Sequence, residues 1–195
     1  MNPIIEHKTF DEERALYHLV NAQVNHCTFA GPADGESVLK ECRNISVDRC
    51  QFSLRYPLWH AQTFSLSHSV MDELTRASIW YSSNGNISDS TINGIKCLRE
   101  CDTVHVSSCH IASPEFGWKC QNISVEHSEI ESEYIFLDTK HLTINDLKMK
   151  GKYSFQYTED VHIKDSVLDT KDAFWHSKHV TVENSIVKGE YLGWF

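Results

Sequence analysis

Apolar and polar residues alternate in short stretches along this chain, and one stretch keeps returning. Asn122-Ile-Ser-Val-Glu-His-Ser-Glu-Ile130 is matched by His141-Leu-Thr-Ile-Asn-Asp-Leu-Lys-Met149, Asp160-Val-His-Ile-Lys-Asp-Ser-Val-Leu168 and His179-Val-Thr-Val-Glu-Asn-Ser-Ile-Val187, each 19 residues on. Further copies begin at Thr103, Asn84, Thr63, Asn44 and Asn21, at offsets of 19, 19, 21, 19 and 23. Nine copies share one template: polar, apolar, polar, apolar, two polar, small, polar, apolar. Alternation with a period of two is the signature of a strand, with neighbouring side chains on opposite faces. A fixed repeat of strand and bend, with no helical stretch between copies, predicts a solenoid. The period and the lack of a six-residue subrepeat favour a right-handed parallel β-helix. Coils stacking at about 4.8 Å would make a rod of roughly 40 Å. The offsets of 21 and 23 read as loop insertions, the longer at Gly31-Pro-Ala-Asp-Gly35, which has strong turn chemistry.

Equivalent residues of a solenoid stack in columns. Cys27, Cys50, Ser69, Ser90, Cys109, Ser128, Leu147, Ser166 and Ser185 form one small inward column. Ala61, Ser82, Cys101, Cys120, Thr139, Thr158 and Ser177 form another. Five of the seven cysteines thereby gain a structural place, and Cys27/Cys50 and Cys101/Cys120 would lie on adjacent coils. A reducing, cytoplasmic setting is expected, because the N-terminus has no signal-peptide pattern, and it favours free thiols. No CxxC pair exists, so zinc is disfavoured and no cofactor is expected.

A second strand in each coil adds three columns. Leu58, Ile79, Leu98, Gly117, Phe136, Phe155, Phe174 and Gly193 read as core. The next column is Trp59, Trp80, Arg99, Trp118, Leu137, Gln156, Trp175 and Trp194, and it holds all five tryptophans. Beside it run His60, Tyr81, Glu100, Lys119, Asp138, Tyr157, His176 and Phe195. If the Leu/Phe column points in, the Trp column points out. Arg99 and Gln156 within it favour exposure, because burying them would need partners. An aromatic ladder rimmed by ionisable groups marks a binding face suited to sugar rings or to a protein. The register could be reversed, or a loop could cover the tryptophans.

The strings Phe29-Ala-Gly-Pro-Ala-Asp-Gly-Glu-Ser37, Arg55-Tyr-Pro-Leu-Trp-His60, Ser113-Pro-Glu-Phe-Gly-Trp-Lys-Cys120 and Thr170-Lys-Asp-Ala-Phe-Trp-His176 resemble a bacterial β-helix family of unknown function in the pectate-lyase-like superfamily. The resemblance covers nearly the whole chain and implies a right-handed β-helix. It brings no established activity and no catalytic residues. It also implies further coils beyond Phe195 in most members.

Composition narrows the rest. The chain has 195 residues and a net charge of −9, with no long apolar run. One domain without a membrane span is expected, and nucleic acid is a poor partner for an acidic chain. A polysaccharide lyase or glycoside hydrolase is the enzyme alternative. Glu100 and Asp138 flank Lys119 but stand two coils, about 10 Å, apart. A salt-bridge ladder reads these three residues as well. In the column Asn122, His141, Asp160, His179 the two histidines are too far apart to share one metal. Residues 1–20 read as a capping segment before a β-helix spanning 21–195. Glu12–Tyr17 could be a short helix after the box Thr9-Phe-Asp-Glu12, or the segment could enter as a strand. The final strand, with Leu192, Trp194 and Phe195, suggests a homodimer through the C-terminal coil.

Overall fold

The computed structural model describes residues 2–31 and 35–194. Every strand pairing in it is parallel, and each coil lies in register on the next. Strands Val20–Asn25, Arg43–Asp48, Gln62–Ser67, Ser83–Ser88 and Asp102–Ser107 follow one another along one face, continued by the first residues of Gln121–Ile135 and Lys140–Ser154. Glu159–Lys164 and Lys178–Glu183 extend the face, and about ten turns form a β-solenoid. The tenth turn is the N-terminal segment. Ile4–Glu6 pairs with Gln23–Asn25, and Thr9–Phe10 pairs with Thr28–Phe29. The segment enters as strands, and residues 12–18 are turns and bends rather than a helix. Those residues follow the same bend as the coils above, so pairing with Glu36 and Lys40 satisfies their backbone better than an isolated helical turn could.

Both irregular offsets are insertions. Phe52 pairs with Met71 but Arg55 with Arg76, which places two extra residues within 72–75. Asp72 closes that loop by accepting the backbone N–H of Leu74 at 3.0 Å. Phe10 pairs with Phe29, whereas the Arg14 N–H already bonds to Glu36 O, placing the longer insertion between them. Pro32, Ala33 and Asp34, at its tip, lie outside the described residues, as does Phe195.

The interior is built in the expected columns. Val24, Val47, Leu66, Ile87, Val106, Val125, Ile144 and Ile163 are buried, as are Phe29, Phe52, Met71, Ile92, Ile111, Ile130, Met149 and Leu168. The small columns do more than fit a narrow bend. The hydroxyl of Ser69 accepts the Cys50 N–H at 3.0 Å and donates to Ser67 O at 2.7 Å. Ser90, Ser128 and Ser166 repeat this between their own coils. Each hydroxyl satisfies two buried backbone groups where the strand ladder is interrupted. Cys42 joins the second column, so six cysteines stand in the two columns, and Cys97 belongs to the neighbouring core strand. All seven thiols are buried and free, so neither adjacent pair is a disulfide.

The bends are made by residues with positive φ, stacked in columns of their own. One runs Asn21, Asn44, Thr63, Asn84, Thr103, Asn122, His141, Asp160, His179, with φ between 50° and 56°. A second includes His7, His26, His68, Asp89, His127, Asp146, Asp165 and Asn184. Asn, Asp and His are the non-glycine residues that best tolerate this conformation. Nine of the 12 histidines have positive φ: His7, His18, His26, His60, His68, His127, His141, His176 and His179. The histidine content is therefore largely a property of the bends.

Candidate functional site

The Leu/Phe column and the His/Tyr column both have positive φ at every coil, from Leu58 at 57° and His60 at 55° to Phe174 at 61° and His176 at 55°. A left-handed residue on either side of the Trp column breaks strand alternation there. Leu58, Ile79, Leu98, Phe136 and Phe155 are fully buried, while Trp59 and His60 both face outward before Ala61 turns in again. The result is an aromatic corner running along the solenoid.

The tryptophans are half-buried, except Trp194, which is exposed. They lie ring against ring. Trp59 stacks on Trp80 with centroids 5.2 Å apart and planes 6° apart, and Trp175 stacks on Trp194 at 5.6 Å. Arg99 lies between two indoles, its guanidinium carbon 5.0 Å from the Trp80 ring and 5.6 Å from Trp118. Such cation–π contacts hold the arginine in the stack without burying its charge in apolar surroundings. The polar edges are also bonded. The indole N–H groups of Trp59, Trp80, Trp118 and Trp175 donate to the carbonyls of Ala77, Lys96, Tyr134 and Tyr191 at 2.6–2.9 Å. Gln156 Nε2 repeats the contact to Asp172 O at 3.2 Å. The column thus bonds one coil to the next, and stacking covers ring faces at the Trp59–Trp80 and Trp175–Trp194 contacts.

Outside the Trp column, His60 stacks on Tyr81 at 5.0 Å and Tyr157 on His176 at 4.9 Å. Between these aromatic pairs Glu100, Lys119 and Asp138 are exposed. No ion pair within 4.0 Å joins Lys119 to either carboxylate among the described residues; Glu100 instead lies 3.7 Å from Arg99 Nε. The expected salt-bridge ladder is absent, and exposed groups such as these gain little from pairing. The structure therefore brings all fourteen candidate residues, Trp59 to Trp194, onto one ridge as two halves of aromatic stacking around a charged middle.

The other faces carry features that column reading did not reach. Carboxylates on neighbouring coils hold histidines: His18 with Glu41 at 2.9 Å, His68 with Asp48 at 2.8 Å, His127 with Asp146 at 2.9 Å. The hydrogen bond that His127 donates to the Asp146 carboxylate raises the pKa of His127 above 6.5. Ser124 Oγ lies 2.7 Å from His105 Nδ1, and His105 Nε2 lies 3.1 Å from Glu126. This hydroxyl–imidazole–carboxylate order resembles a hydrolytic triad, but Ser124 is paired with both neighbouring strands. Its backbone is spent in the sheet and cannot serve as an oxyanion donor. A groove of about 400 Å³ runs between the outward columns His110/Glu129/Lys148 and Ala112/Glu131/Lys150. Lys148 bonds Glu129 at 3.1 Å and holds that carboxyl below its usual range. The alternating charges of this groove neutralise one another. Only pairing register could have revealed these contacts in the sequence, since every partner lies 19 to 23 residues away.

Fold and ridge together define a parallel β-solenoid with a stacked aromatic corner. The chain belongs to the family described as protein of unknown function (DUF3737), whose model matches residues 3–195. No curated protein and no solved structure matches the chain. No helix of the described residues is long and apolar enough to cross a membrane.

Proposed function

We propose that this protein is a binding or scaffold module that engages a protein partner along the aromatic ridge. The observation that supports it is the ridge itself: a row of half-exposed Trp, Tyr and Arg side chains already locked by stacking and hydrogen bonds. These residue types supply most of the energy at protein interfaces, and fixed side chains lose little entropy on binding. Tyr81 and Tyr157 are 38% and 53% exposed and bracket the charged segment Glu100, Lys119 and Asp138, which would set the partner's register. A carbohydrate is the weaker ligand, because a sugar ring packs on an open aromatic face and these faces cover one another. The enzyme alternative has less support still: Glu100 and Asp138 stand about 10 Å apart with Lys119 between them.

The test is site-specific photo-crosslinking in cells that express the protein, with a photoreactive phenylalanine at Tyr81 or Tyr157 and, off the ridge on the strand Lys140–Ser154, at Thr143. Discrete protein adducts at the two ridge positions but not at Thr143 are expected. Equal labelling at all three positions, or none, overturns the reading. Ridge-dependent binding on a glycan array would transfer the site to carbohydrate.

A further inference from the structure

We infer that Glu159, Asp160 and His179 form a site for a divalent first-row transition metal. It lies on a different face from the ridge and does not rest on the ridge's function. A carboxylate oxygen from each acid and a ring nitrogen from His179 all lie within 4.8 Å of one another. Tetrahedral ligands at bonds of about 2.0–2.2 Å sit roughly 3.3–3.6 Å apart. Closing the site therefore takes a shared movement of up to about 1.5 Å by side chains at the surface.

The fold explains why these ligands converge. Asp160 has φ 55°, which breaks strand alternation, so Glu159 and Asp160 face out together before Val161 turns inward. His179 occupies the same column one coil on, with its Nδ1 2.8 Å from Asp160 Oδ1. The proton shared in that contact is the one a metal replaces. On the other side His141 Nδ1 lies 3.1 Å from Asp160 Oδ2 and orients the carboxylate. The two histidines approach Asp160 from opposite coils, so a single ion takes His179 and leaves His141 as a positioning residue.

The hollow of about 390 Å³ lined by Asn122, His141, Thr143 and His162 lies on the His141 side of Asp160 and is not part of the site. One imidazole with two carboxylates suits Zn²⁺, Co²⁺ or Mn²⁺ better than Ca²⁺, which takes oxygen ligands. Lys140, 3.4 Å from Glu159, and Lys178, in register beside it, compete for the same charge and weaken the site.

The experiment titrates the tag-free full chain with Zn²⁺ by calorimetry and with Co²⁺ by visible absorption at neutral pH. One site per chain is expected. Asp160→Asn and His179→Gln should each weaken it at least tenfold, and Glu159→Gln should weaken it too, with far-UV circular dichroism unchanged. His127→Gln, at a pair with one carboxylate, should leave it intact. Absence of sub-millimolar binding overturns the proposal. So does binding that survives both Asp160→Asn and His179→Gln, or that His127→Gln weakens equally.

Discussion

Phe155 is the position where core packing and backbone conformation can be separated. Its ring is fully buried, stacked 5.8 Å from Phe136 and 5.0 Å from Phe174, and its φ is 58°. Truncation to alanine removes a large aromatic side chain from a close-packed column and should cost about 3–5 kcal/mol. Truncation to glycine removes one carbon more, and at an ordinary strand position it would be worse than alanine by about 0.5–1 kcal/mol. Here the order should invert. Alanine remains strained in the left-handed region and glycine does not, so Phe155→Gly should be more stable than Phe155→Ala by about 1 kcal/mol. The same column already places Gly117 and Gly193 at φ 71°. A Cβ on Gly117 would also meet the Phe136 ring at 2.4 Å, so that glycine makes room as well as bending. Urea melts followed by far-UV circular dichroism would measure the three chains beside Glu126→Ala, whose half-exposed pair with His105 should contribute less than about 0.5 kcal/mol. A loss for Phe155→Ala no larger than that for Glu126→Ala would refute the inward assignment. Glycine falling clearly below alanine would refute the left-handed conformation.

The remaining expectations test other columns. All seven thiols should resist a thiol reagent in the native state and react when unfolded, because burial raises Cys42, Cys50 and Cys97 to about 12; rapid native labelling contradicts this. His127 should titrate above 6.5 by NMR and fall back in Asp146→Asn. Because its folded pKa is raised, its contribution to stability is fully present below about pH 6.5 and fades as pH rises through the folded pKa.

The period was readable in the sequence because a stacked coil repeats its chemistry at a fixed offset. Even the two insertions announced themselves as offsets of 21 and 23. In and out were readable wherever alternation holds, as at Ile123 and Val125 against Ser124 and Glu126. Local rules fail at the bends. Asn and His at φ near 52° obey the residue preference, but Ile79 at 56° and Phe155 at 58° violate it. A β-branched or aromatic side chain gives no local hint of that conformation, which only stacking between coils can hold in place. Ring orientation in the Trp column was hidden for a related reason. Alternation says that Trp59 points out but not that it lies flat on Trp80. The coil spacing contains that answer: rings in one column on strands about 4.8 Å apart are already near stacking distance. In-register columns therefore convert exposed aromatics into neighbours of one another.

The histidines carry the same logic into chemistry. Read as isolated residues, 12 histidines in an acidic chain suggest ligands or bases. Read as columns, nine of them are bend residues, and five of those, His18, His68, His127, His141 and His179, reach a carboxylate on an adjacent coil. A bend histidine with one carboxylate, such as His127 with Asp146, has its chemistry used up by the fold. Glu159, Asp160 and His179 differ, because the left-handed Asp160 turns a second acid outward beside the first. Conformation and coordination coincide at that bend. A metal that binds there and spares the single-acid bends would show that the geometry of the bend, not histidine content, selects the site.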